Sequence, residues 1–410
     1  MKAHRTASRG RLLFVCEVFH PDQSSTSQLF TAVFESSEFC GVPVTVVANR
    51  TPAASASAVP AHFASDVEVI RTGVAIDGKK SVARRLVRYA AFVVGATVSM
   101  LVRPQDRILG LTNPPFTAVW LWLLTRITRQ KYDLFLLDLY PEGLEGLGAL
   151  SPRSIVARTW RWFNERAYRR AGKLVVLGRD MAARVAAEYG LPMERIIVFP
   201  HWSPFDQDAP IAFSESELVA SRGLADRFVV QYSGNMGIWH DIDSLIRAAA
   251  LLSDVAKLTL LFIGGGARRK HAEALCRELG VTNVSWLEFQ PLDRLADSLA
   301  ACHMAIISQR EGLDGVAVPC KMYGILASGR AILAAVPATS EVAQVVEEEH
   351  CGVVAPPSDP VALAAAIRRI AQDPDAANAM GRRAFQAYKT KYTTAIAAKR
   401  FRDIWGAGPG

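Results

Sequence analysis

Short, largely apolar runs, rich in Val, Ile, Leu and Phe, recur along the chain and constrain its fold class before any motif is considered. Seven lie in the first half, at 12–18, 43–48, 67–70, 107–111, 133–137, 174–177 and 196–199. Five follow, at 228–232, 257–263, 284–287, 304–307 and 331–334. A strand with one wet face alternates apolar and polar residues, whereas a run that is apolar throughout must be covered on both faces. That is the situation of a parallel strand between crossover helices. Helical stretches separate the runs, so the expectation is an α/β chain of two doubly wound, Rossmann-like domains facing a cleft. At 410 residues the chain is also too long for one comfortable core.

The two series break at Pro200-His201-Trp202-Ser203-Pro204-Phe205-Asp206, which continues into a polar, acidic stretch as far as Glu217. This is the expected linker. Residues 1–10 are polar and basic and read as a loose tail rather than a secretory signal. The domains are expected at 11–205 and 206–390. Residues 391–410 hold a last amphipathic helix, over 394–405, that returns toward the first domain. Six scattered cysteines without a CxxC pair suit free thiols in a reducing cytoplasm.

Charge is uneven. Residues 1–200 carry 26 Lys and Arg against 16 Asp and Glu, a balance of +10, whereas the rest of the chain comes to −2. The first domain therefore faces something anionic. The apolar run 89–102 is 14 residues long, short of the roughly 20 that span a bilayer. Arg84, Arg85, Arg88 and Arg103 flank it, and Trp120, Trp122, Trp160 and Trp162 recur among further arginines. Such mixtures suit an anionic membrane surface. The run reads equally as a crossover helix buried on its sheet. Nucleic acid is not the expected partner, because the tryptophans sit in apolar contexts.

Three loops of small residues follow strands of the second series: Ser233-Gly234-Asn235-Met236-Gly237, Gly264-Gly265-Gly266, and Val318-Pro319-Cys320-Lys321. Glycine lets backbone N–H groups approach an anion, and each following helix turns its positive end toward it, so the loops suit a diphosphate. Lys321 falls in the first turn of a helix, where the macrodipole disfavours a cation by roughly 0.3–1 kcal/mol. An adjacent anion would reverse that sign. Asp138 ends an apolar strand at the cleft rim, where a carboxylate is costly unless it is paired or employed. It either forms a salt bridge to a nearby arginine, orients a reacting hydroxyl, or stabilises positive charge that develops at a reacting centre. In Asp241-Ile242-Asp243 the acids open a helix and read as capping, not as metal ligands.

With these motifs in place the chain resembles a family 4 glycosyltransferase of the GT-B fold, in the branch that builds bacterial O-antigen, capsule and colanic-acid-type polymers. The resemblance runs from Phe19-His20-Pro21-Asp22 through Asp138-Leu139-Tyr140-Pro141-Glu142 and the 232–237 loop to the segment 318–329, with its P-x-K-x-Y-x-x-x-A-x-G pattern, and 378–384. It implies an acceptor-binding first domain and a nucleotide-sugar-binding second domain, a UDP-sugar in preference to a GDP-sugar, no metal, and transfer with retention. The implied acceptor is a polyprenyl-linked saccharide at the cytoplasmic face of the inner membrane. For the donor it points to Ser233, Gly234, Asn235, His240, Gly265, Arg268, Lys321 and Glu341, for the acceptor to His20 and Glu142, and for catalysis to Asp138 and Glu311.

The pattern has departures. Asn235 and His240 stand where family members commonly carry Arg and Lys, and Gly324 replaces the glutamate that usually holds the ribose. Arg268, with Arg269 and Lys270, either restores the missing charge or forms a solvated helix start. Glu311 is either a sugar-contacting carboxylate or part of an acidic loop. Glu341 reaches the site or merely opens a helix. A sugar-nucleotide epimerase, and a non-catalytic subunit keeping the fold, are the competing interpretations.

Overall fold

The computed structural model describes residues 11–406 apart from 23, 51–61, 64–65, 77–80 and 104–106. The expected basic tail, 1–10, lies outside the described residues. Strands β1 (Leu12–Val15), β2 (Val44–Asn49), β3 (Val67–Thr72), β4 (Arg107–Leu111), β5 (Tyr132–Leu136), β6 (Leu174–Val176) and β7 (Ile196–Val198) form the first sheet, in the order β3-β2-β1-β4-β5-β6-β7. The second, in the order β10-β9-β8-β11-β12-β13, comprises β8 (Phe228–Ser233), β9 (Leu258–Ile263), β10 (Val284–Leu287), β11 (Met304–Ser308), β12 (Ala331–Ala335) and β13 (Gly352–Ala355). Every ladder is parallel. The two doubly wound domains required by the apolar runs are therefore present. Strand β13 has no counterpart among those runs because it is an edge strand whose first three residues are only half-buried.

The first six helices are α1 (Ser25–Glu35), α2 (Val82–Val102), α3 (Thr117–Thr128), α4 (Glu142–Gly146), α5 (Ile155–Arg170) and α6 (Arg179–Tyr189). Then come α7 (Glu217–Arg222), α8 (Ile242–Ala250), α9 (Arg269–Glu278), α10 (Leu295–Ala300), α11 (Lys321–Ala327), α12 (Glu341–Glu348), α13 (Pro360–Ala371), α14 (Pro374–Lys391) and α15 (Thr394–Trp405). Thr393 caps α15 by accepting from the Ile396 amide. Its buried residues Ala397, Phe401 and Trp405 recur every four positions, so one face is apolar, and that face packs in the first domain. Phe401 lies edge-on to Phe14 and Phe34, and Trp405 donates from Nε1 to the buried Asp133 at 2.9 Å.

Ligand crevices of such sheets lie where strand order reverses. In the second sheet this is between β8 and β11. These strands pair only through Met304↔Val230 and Ala305↔Gln231, whereas β8 and β9 pair over six residues. Beyond Gln231 no further β8–β11 pair forms among the described residues, and the loops after the two strands meet a gap.

Candidate active site

The first two glycine loops are stacked on each other. Gly234 and Gly264 both have φ +125, a region that side chains rarely tolerate, and a Cβ on Gly264 would lie far inside contact distance of the Gly234 carbonyl oxygen. The Met236 amide donates to the Gly265 carbonyl at 2.6 Å, and the Arg268 amide to that of Met236 at 3.0 Å. Asn235, exposed, lays its amide between Gly237 and Gly266. Ser233 ends β8 opposite Ile263, and Gly265 faces the Phe289 ring. Replacing Gly264 with alanine combines backbone strain with overpacking and should cost roughly 2–5 kcal/mol in denaturant unfolding. A loss below about 1 kcal/mol would show that the loops separate easily.

Lys321 opens α11 and turns back onto this stack. Its ammonium lies 3.9 Å from the Tyr232 ring centroid, and a Cβ on Gly234 would come 3.6 Å from it. The nitrogen is buried and has no hydrogen-bond partner among the described residues. Burial lowers its pKa to about 8. A cation stripped of water without a hydrogen-bonding partner is costly, and face-on contact with Tyr232 returns only part of that cost. His240 stands beside it. Its Nδ1 lies 2.7 Å from the Ser308 carbonyl and must therefore carry the hydrogen and donate. Burial, then the charge of Lys321, lowers its pKa to about 3. His240 is thus neutral in the free protein and brings no charge to the pocket.

The opposing wall belongs to the first domain. The loop 310–318 after β11 is clamped to it: the Leu139 amide donates to Val316 at 2.9 Å, Gly315 donates to the Asp180 carboxylate at 3.1 Å, and Asp138 forms a β-bridge with Ala317. Asp138 is thereby held across from the segment leading into Pro319-Cys320-Lys321. Its carboxylate makes no ion pair or hydrogen bond among the described residues, and burial raises its pKa to about 6. The salt bridge left open by the sequence is absent among those residues. Glu311, in the same clamped loop, is exposed and makes no ion pair or hydrogen bond with the described residues. His20 sits in the loop beyond β1, its ring 6.2 Å from that of Phe63.

Three expected site residues are engaged elsewhere. Glu142 is fully buried within the first domain and accepts from the Tyr189 hydroxyl at 2.5 Å, so it does not face an acceptor. Arg268 pairs with Asp243 at 2.7 Å, which neutralises the charge it was expected to bring. Glu341, capped into its helix by Ser340, accepts from the Arg179 amide at 2.7 Å and from its Nε at 3.0 Å, joining the domains instead of contacting a donor. A carboxylate at the start of α6 is the partner that helix end favours. Arg179→Ala would leave Glu341 buried and underpaired. We expect a loss of about 1–3 kcal/mol, seen as earlier separation of the domains in denaturant. Unchanged unfolding would rule out the clasp.

Three contributors had not stood out in the sequence. Tyr232 is the aromatic floor under Lys321, and Trp239 packs across the seam against the first domain's core and Gly143. Arg179 is the third, and it is a cation at a helix start, the same signal that singled out Lys321.

Asp241 accepts from the Ser244 amide and caps α8, as its position suggested. The arrangement is thus a buried ammonium without a hydrogen-bond partner among the described residues on a glycine stack, together with a carboxylate of the first domain, Asp138, whose backbone bridges Ala317 in the segment that leads into Lys321. It can hold an anionic leaving group on one side and orient a hydroxyl on the other.

Comparison with known proteins gives the family and the fold. The family described as "Glycosyl transferases group 1" matches residues 215–387. WbjE of Pseudomonas aeruginosa, named a probable glycosyltransferase, is 30% identical over 289 residues, covering 69% of this chain and 70% of its own. WcaI of Escherichia coli K12, named "Putative colanic acid biosynthesis glycosyl transferase", is 25% identical over 311 residues, 73% of this chain and 75% of its own. Anabaena HepE, solved with UDP and glucose, superposes with a TM-score of 0.72 at 16% identity, covering 97% of this chain and 99% of HepE. The fold is that of the GT-B enzymes, and on the strength of the WbjE match the chain belongs to the group 1 glycosyltransferases.

Proposed function

We propose that the chain is a family 4 enzyme that transfers a hexose-type sugar, with retention and without a metal, from a UDP-sugar to a polyprenyl-linked oligosaccharide. The setting is synthesis of an O-antigen or capsule-type surface polysaccharide, with the enzyme peripheral on the cytoplasmic face of the inner membrane. The carrying observation is the buried, unpartnered ammonium of Lys321 over Gly234. A diphosphate seated there would meet that charge and two glycine loops. As the bond from the sugar to the diphosphate breaks, Lys321 stabilises the charge that develops. Asp138 orients the acceptor hydroxyl that forms the new bond, and the proton this hydroxyl gives up leaves with the departing diphosphate. A UDP donor is supported by HepE, which shares the fold and was solved with UDP. The polysaccharide setting is supported by the name of WcaI.

The test is calorimetry with UDP and GDP, followed by nucleotide release from UDP-sugars with membrane extract as acceptor. UDP should bind more tightly than GDP, and chelators should leave release unchanged. Folded protein that gives neither heat nor release would overturn the assignment.

A further inference from the structure

Helix α2 has two unlike faces. Phe92, Ala96 and Met100 are fully buried against the first sheet, and Gly95 lies against the Thr72 side chain with no room for a Cβ. On the opposite face Val87, Val94 and Leu101 recur every seven residues, nearly two turns, and all three are exposed, Val94 by 65%. Val98 lies beside them, also exposed.

The exposed apolar surface extends across the neighbouring helices. Trp120 of α3 donates from Nε1 to Thr97 of α2 at 3.0 Å, and α3 leaves Leu123 and Ile127 in solvent, the latter 83% exposed. Helix α5 packs on α3 and exposes Ile155, Val156 and Trp162. Isolated exposed apolar residues need no explanation, but rows on three adjoining helices do.

The charge is as one-sided as the polarity. Neither α2 nor α3 contains an acidic residue, and the one on α5, Glu165, is paired with Arg169. Arg84 and Arg85 open α2, Arg126 and Arg129 close α3, and Arg153 and Arg158 mark the start of α5, all exposed. Arg166 lies over the Trp162 ring at 3.2 Å. Apolar side chains bordered by arginine and tryptophan match the layered chemistry of an anionic lipid headgroup region.

We propose that the α2–α3–α5 face docks on an anionic bilayer, with α2 parallel to the surface. The helix is long and apolar enough to cross a membrane by length and composition. Crossing would, however, strip Phe92, Ala96 and Met100 from the sheet and break the Arg88–Glu17 ion pair at 2.8 Å, so α2 lies on the surface and does not span it. That pair sits just beyond the C-terminal end of β1. Docking therefore brings the cleft end of the first domain to the lipid surface. The inference rests on the proposal of a lipid-linked acceptor and adds the surface that meets the lipid.

The test is co-sedimentation of the full chain with phosphatidylglycerol-containing vesicles and with pure phosphatidylcholine vesicles, at low and high salt. The anionic vesicles should be bound preferentially, and salt should weaken binding because each cation near the surface contributes about fivefold in partitioning. The double variant Val94→Glu, Leu101→Glu should bind at least tenfold more weakly, with an unchanged circular dichroism spectrum and unchanged UDP affinity. Equal binding by the double variant, or no preference for anionic vesicles, overturns the proposal. So does a protein dimer, seen by sedimentation, that the same variant dissolves, since the face would then be a self-association surface. Vesicle binding without UDP binding would instead sink the enzymatic assignment and leave the docking face standing.

Discussion

Replacing Lys321 with methionine is expected to cripple turnover and, at the same time, to raise the melting temperature of the free protein. Methionine keeps the length of the side chain and removes the charge. The folded pKa of Lys321, about 8, lies below the ordinary lysine value of 10.5, so folding disfavours the protonated form. Between those values the unfolded chain binds more protons, and stability rises with pH. Below about pH 8 both states are protonated and the full penalty remains, at most roughly 3 kcal/mol. Contact with Tyr232 is lost in the variant, so the net gain will be smaller, a few °C by calorimetry. The reacting diphosphate loses its charge partner, and kcat/KM should fall on the order of 10²–10³-fold. In the unmodified enzyme, donor affinity should decline above about pH 8, because an anion binds the protonated form and must then bring a proton with it. A variant that melts several degrees lower and keeps its donor affinity would make Lys321 a packing residue.

Asp138→Asn should lower kcat by on the order of 10²–10⁴-fold while leaving UDP affinity within a few-fold. In the proposed reaction the carboxylate serves the acceptor rather than the donor, so its loss should affect the acceptor step. Burial raises its pKa to about 6, and the ionised form is the one that orients a hydroxyl by accepting its hydrogen. The pH profile of kcat/KM should therefore fall as pH drops through about 6, and this acid limb should vanish in the variant. The stability effect has the opposite sense to that of a carboxylate stabilised by a salt bridge. The folded value is raised above the ordinary one, so ionisation costs stability above about pH 6, and the neutral amide should be at least as stable there. Full activity of the variant, or an unchanged acid limb, would remove Asp138 from the reaction. Both residues are expected to stabilise the protein when neutralised, as groups kept for chemistry at the expense of stability often do.

What the sequence disclosed, and what it hid, follows from the range of the interactions involved. A run such as 331–335 reports its own environment, because only a strand covered on both faces can be apolar throughout. The glycine loops report a backbone need, and Lys321 reports a conflict with its own helix end. These signals are local. The residues misassigned to the site are those whose partners lie far along the chain: Glu142 bonds Tyr189 across 47 positions, Arg268 bonds Asp243 across 25, and Glu341 meets Arg179 across 162. A carboxylate at a cleft rim looks the same in sequence whether it awaits a substrate or already holds an arginine. Asp138 was identifiable only as a charge at a strand end. Its freedom depends on the β-bridge to Ala317, which no local pattern encodes.

The closing helix also has a consequence for how this protein is made. Phe401 and Trp405 complete a cluster begun by Phe14, Phe30 and Phe34, yet they emerge from the ribosome only after the whole intervening lobe. At about 5–20 residues per second, translation of the intervening lobe takes on the order of tens of seconds. During that interval the early aromatic residues lack their cover, so the nascent chain should depend on chaperones until the 394–405 helix has emerged. Stop codons ahead of Thr394 should harm the lobe that was translated first.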